Sequence, residues 1–161
     1  MAPDHEPSHR ARRNRRERGA ALVEIAIVIP ILMTFLFGII EFGWSFTQHL
    51  DVRHGARETA RLTAVNLNPG NLDPSSQAWG IAALGCTRLE DASGVRIQIE
   101  LDDTSQTEVG DLAIVTVTRD YEQLTGYLDP VFAGLDLESE IEFRLEQPAS
   151  WQSMATAYTC P

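Results

Sequence analysis

The stretch "RRERGAALVEIAIVIP", Arg15–Pro30, sets an arginine cluster, a glycine and a lone glutamate at the start of a long apolar run. Between Ala20 and Phe42 the only charges are Glu24 and Glu41. A bilayer core of about 30 Å asks about 20 apolar residues of a helix, and Ala20–Phe46 supplies them, with Trp44 and Phe46 suited to the headgroup level. Glu24 is therefore the residue that needs a reason. A carboxylate at the centre of a spanning helix costs on the order of 2.5–3.5 kcal/mol, and less near the interface.

Charge divides the chain at the same place. Residues 1–19 carry six arginines against Asp4, Glu6 and Glu17, whereas from Ala20 onward seven arginines face twenty acidic residues, a formal balance of −13. A basic flank before the span and an acidic chain after it put the N-terminus in the cytoplasm and residues 47–161 on the far side. The acidic excess argues against a nucleic-acid partner, and the adjoining span already accounts for "RARRNRRER". A secretory signal peptide would need a small-x-small cleavage site, which "FGWSFTQHL" does not offer. A buried helix of a soluble protein would show an amphipathic stripe, and this run has none. The expected division is a basic leader over 1–19, a transmembrane helix over 20–46 and an extracytoplasmic domain over 47–161.

An arginine-rich leader, then Gly19, then an apolar helix with glutamate as the fifth residue after the glycine resembles the processing site of type IV pilin-like precursors. More narrowly, Arg18-Gly19, Ala21-Leu22-Val23-Glu24, Pro30 and the "FGIIEFG" of Phe37–Gly43 are similar to the N-terminal region of TadE-like proteins, minor pilin-like components of the tight-adherence (Tad, Flp-type) pilus system. The likeness continues weakly into "VRHGARETAR", Val52–Arg61. It implies a prepilin peptidase cut between Gly19 and Ala20, although Ala20 stands where major pilins usually carry a large or aromatic residue. It also implies that Glu24, Pro30 and Glu41 serve assembly. The implied partners are the peptidase, other pilin-like subunits, the Tad membrane platform and membrane lipid. The implied location is the bacterial cytoplasmic membrane, with entry into an extracellular fibre left open. The competing reading is a bitopic envelope protein that keeps its leader and carries a ligand-binding or sensor domain.

Pro30 removes a backbone hydrogen bond, so a kink is expected near Ala26. Helix signals run on from Thr47 to about Leu67, with Val52, Ala56, Ala60 and Ala64 on one stripe and Arg53, Arg57 and Arg61 on another. His54 and Glu58, one turn apart, are expected to pair. "NLNPGNLDPSS", Asn66–Ser76, ends that helix, and a short helix follows from Ser76 to about Gly85. "VRIQIEL" (95–101) alternates strictly, "LAIVTVTRDY" (112–121) is apolar on both faces, and "EIEFRLEQ" (140–147) alternates again, predicting a hairpin and a third strand. The fold class is α+β, a long N-terminal helix packed on a small antiparallel sheet, as in pilins.

Two cysteines, Cys86 and Cys160, permit one intrachain disulfide if the acidic domain faces an oxidising compartment. A site from His49, His54 and Glu58 is disfavoured because His49 and His54, five apart, do not share a helix face, and the acidic 102–111 connection lacks an EF-hand's ligand spacing, so no metal or cofactor is expected. The sequence has no nucleophile–base constellation and no phosphate loop. The expected chemistry is assembly and not catalysis.

Overall fold

The computed structural model describes residues 9–103, 107–127, 132 and 134–161, with side chains from Gly19 onward. The order is α1 (His9–Ala64), α2 (Pro74–Cys86), β1 (Val95–Leu101), β2 (Leu112–Asp120), β3 (Asp136–Arg144) and β4 (Tyr158–Thr159). A long N-terminal helix with a small antiparallel sheet is an α+β fold. The chain forms two compact units, one ending at Ile40 and the other running from Glu41 to Pro161.

In the first unit α1 stays helical through Pro30. The Thr34 hydroxyl donates to the Pro30 carbonyl at 2.9 Å. From Leu22 to Ile40 the large apolar side chains are exposed or half-buried, Phe35 and Ile39 by 68% and 72%. Among the described residues no polar face interrupts them.

In the second unit the sheet order is β3-β2-β1-β4, antiparallel throughout. β1 pairs Ile97 with Val117 and Ile99 with Val115, and β2 in turn pairs Val115 with Ile141. Alternation then sends Val95, Ile97, Ile99 and Leu101 of β1 and Ala113, Val115 and Val117 of β2 into one buried face. Val52, Ala56 and Ala60 of α1, with Ala78, Ile81 and Ala82 of α2, join the same core. Small residues let the layers approach closely: a side chain at Gly85 would collide with the Thr59 hydroxyl and lie 3.1 Å from Ile97 Cδ1, and one at Gly55 would collide with Leu89.

The boundaries of α1 and β3 differ from the sequence reading because of tertiary context. α1 ends at Ala64, not near Leu67, because Asn66 takes a left-handed φ of 52°. That turn aims the Asn66 side chain at the Pro148 carbonyl (2.8 Å), while Gln77 Nε2 donates to Asn66 Oδ1 (2.9 Å) and to the Leu67 carbonyl (3.0 Å). β3 begins at Asp136 and stops at Arg144, whereas 140–147 was expected. Asp136, Glu138 and Ser139 have poor strand propensity, but continuous pairing with β2 from Asp120↔Asp136 to Leu112↔Arg144 recruits them. The inward phase is the expected one: Ile141 and Phe143 are half-buried and Leu145, just past the strand, is buried. β4, two residues pairing Tyr158 with Ile97, is too short to leave a sequence pattern. Glu58 reaches Arg61 at 3.9 Å and not His54.

Candidate functional site

Two groups of polar side chains stand out, one along the apolar helix and one inside the folded unit. On the helix, Gly19, Ala20 and Glu24 are exposed. A side chain at Gly19 would meet nothing within 4 Å, and the same holds at Gly38 and Gly43. No fold-internal reason requires glycine there. Glu24 has no partner among the described residues.

Glu41 is different, because it opens the folded unit and is 1% exposed. Its carboxylate accepts from the Tyr121 hydroxyl (2.8 Å), the Leu124 amide (2.9 Å), the Thr125 amide (3.1 Å) and the Thr125 hydroxyl (2.7 Å). Two turns along, the Gln48 amide nitrogen donates to the Glu122 carbonyl (2.6 Å) and its oxygen accepts from the Glu122 amide (3.2 Å). The Trp44 indole donates to that same carbonyl at 2.9 Å. Three α1 side chains thus hold the segment that leaves β2. Burial, helped by the Glu41 carboxylate, pushes the Tyr121 phenol up to about 12. The structure places Glu41, assigned to assembly by the family resemblance, with its acceptors occupied within its own chain.

Beside it lies a group that the sequence reading missed. Arg119 is 2% exposed, on the inward phase of β2. It bonds to the Asp91 carboxylate and lies 3.6 Å from Asp51, which also accepts from the Glu90 amide at 3.0 Å. Hydrogen bonds from Ser93 first, then Arg119, hold the Asp91 carboxyl below its usual range. A signal was available: Ala113, Val115, Val117 and Arg119 share one strand face, so a charge in step with a buried row demands an acidic partner. Trp44, Gln48, Asp51, Asp91 and Arg119 line a depression of about 200 Å³.

Cys86 and Cys160 form a disulfide with Cα atoms 5.7 Å apart, tying the C-terminal strand to the end of α2. Among the described residues no three His, Cys, Asp or Glu side chains gather as metal ligands.

From Gly19 onward α1 is long and apolar enough to cross a membrane, with a window of mean hydropathy 2.6 and none of it buried. The class is therefore an α+β unit on a helix compatible with a single-pass anchor. Residues 19–61 match the family model described as TadE-like protein, so over that segment the chain is similar to that family. The match covers Gly19, Ala20, Glu24, Pro30 and Glu41 and stops before the sheet. No curated protein and no solved structure matches the chain.

Proposed function

We propose that this chain is a minor pilin or pseudopilin that takes part in assembling or initiating a Tad-type pilus. A prepilin peptidase removes residues 1–19. The apolar helix from Ala20 to Ile40 spans the cytoplasmic membrane with its N-terminus inside, and the folded unit from Glu41 to Pro161 stands outside. The role is structural and not catalytic.

The observation that carries this reading is Glu24: a carboxylate five residues past a glycine that the fold does not need, on an exposed apolar helix, without a partner among the described residues. Cleavage after Gly19 creates an α-ammonium at Ala20. Paired with Glu24 of a neighbouring subunit, that ammonium offsets the cost of the carboxylate and sets the register between helices. Open space at Gly38 lets helices approach closely within lipid. Pro30 leaves one carbonyl unbonded and gives the helix a place to bend on packing.

The test is the intact mass of membrane-extracted protein made with an active prepilin peptidase, beside Gly19→Phe and Glu24→Gln variants. The wild type should begin at Ala20 and Gly19→Phe should keep its leader. Glu24→Gln should be cut normally yet copurify at least tenfold less with other pilin-like subunits. A wild-type chain that retains residues 1–19 beside an active peptidase favours the bitopic envelope protein instead.

A further inference from the structure

We propose that the folded unit of one copy docks on that of the next through a row of arginines on α1 and a ladder of glutamates on β3, so that copies join head to tail. The contact lies wholly within residues 41–161 and does not depend on leader removal or on Glu24.

Arg53, Arg57 and Arg61 recur every fourth residue on α1 and are all exposed. Eight helical residues put about 12 Å between the outer two. On β3, Glu138, Glu140 and Glu142 alternate with the half-buried Leu137, Ile141 and Phe143 and the buried Ser139, and all three are exposed. Four strand residues put about 13 Å between the outer two. Three cations and three anions thus stand in rows of matching length.

Among the described residues only Arg61 of the two rows has an oppositely charged partner in its own chain. Like charges one turn apart on a helix, or alternate on one strand face, repel. Among the described residues the only ion pair touching either row is Arg61 with Glu58, at 3.9 Å. The unit is otherwise acidic, and its remaining basic groups are mostly engaged: Arg119 is buried, Arg96 pairs with Asp120 at 2.9 Å, and Arg144 donates to the Gly110 carbonyl at 2.6 Å. Two copies of so acidic a unit repel unless the arginine row meets an acidic one. Edge glutamates also deter strand-to-strand pairing, but that purpose leaves the arginine row without a counterpart.

Position decides the form of the assembly. The inner face of the sheet packs against Val52, Ala56 and Ala60 of α1 in one core. Each arginine follows a buried residue by one position, about 100° around the helix, so the row runs along the flank of α1 beside its buried stripe, while the glutamates stand on the outer face of the sheet. A contact between two different patches is heterologous, and it joins copies into a ring where the rotation closes and into an open row where it does not. Exposed ion pairs are individually weak, so the contact is weak in solution and gains from the shared membrane orientation of its partners.

The test uses the full-length chain in neutral detergent, with size followed by light scattering against protein and salt concentration. The wild type should grow past a dimer with concentration and shrink as salt rises. Arg53→Glu/Arg57→Glu/Arg61→Glu should weaken self-association at least tenfold, and so should Glu138→Arg/Glu140→Arg/Glu142→Arg. The chain carrying all six reversals should associate again, with circular dichroism confirming the fold of each variant. Association indifferent to the reversals, or not regained by the sixfold variant, overturns the proposal. So does a wild type that stays monomeric in neutral detergent, including one that then binds phosphatidylglycerol vesicles through the same arginines.

Discussion

The Tyr121 hydroxyl donates to the Glu41 carboxylate at 2.8 Å, joining the first residue of the folded unit to the end of its central strand across 80 positions of sequence. Three more donors from Leu124 and Thr125 complete the cradle. Glu41→Ala leaves those donors facing a void, and each unsatisfied buried group costs about 1–3 kcal/mol. The expected outcome is a lower midpoint of chemical denaturation together with faster hydrogen exchange at the Leu124 and Thr125 amides. Unchanged exchange there would show that the carboxylate does not order the segment.

The same pair makes an alkaline prediction. The phenol is pushed above its ordinary value of 10.0 to about 12, so the folded state holds that proton more tightly than the unfolded one. The stabilisation is fully present below pH 10 and is lost as pH rises toward about 12. Tyr121→Phe should flatten that limb of a stability–pH curve. Tyrosinate absorbance of the wild type should show one of its three tyrosines titrating late.

Arg119 predicts a loss at the opposite end of the pH scale. With the Asp91 carboxyl held below its ordinary 3.8, the contribution is present above that value and is lost as pH falls through the folded value. Arg119→Leu removes the buried cation and leaves Asp51 and Asp91 without it. We expect a cost of roughly 3 kcal/mol, the lower part of the range for broken buried pairs, since Asp91 is half exposed. Denaturant melts at neutral and at acid pH check this, and the two proteins should converge in acid.

Replacing Cys160 by serine opens a loop of 74 residues' separation. In the chain-entropy account the cost is about 4 kcal/mol. Reduction of the wild type should lower its thermal midpoint by the same amount as Cys160→Ser, and amide protection in β4 should fall first. A reductant-insensitive melt of the wild type would contradict this.

Gly85→Ala drives a methyl group into the Thr59 hydroxyl and against Ile97. Overpacking of this kind costs about 1–3 kcal/mol. Among the described residues the Thr59 hydroxyl has no hydrogen-bond partner. Thr59→Ala made together with Gly85→Ala should therefore recover most of the loss, measured as the coupling in a double-mutant cycle.

What the chain settled locally was legible residue by residue. Apolar length and flanking charge mark the helix from Ala20. Period-2 alternation marks β1 to the residue, and the alanine stripe marks the buried face of α1. Each of these signals is carried by neighbours in sequence, where the backbone's own periodicity turns spacing into a face. The resemblance at Gly19 and Glu24 was legible for the same reason. The rest needed partners brought from far away. Whether Glu41 lies in lipid or in a cradle depends on Tyr121, Leu124 and Thr125. Whether Arg119 can be buried depends on Asp51 and Asp91. Where β3 begins depends on β2, which offers Asp120 to Asp136, and β4 exists because Ile97 stands opposite Tyr158. A buried charge or a strand edge is stable only when its complement is in place, and that complement is a property of the folded chain and not of any one stretch of it.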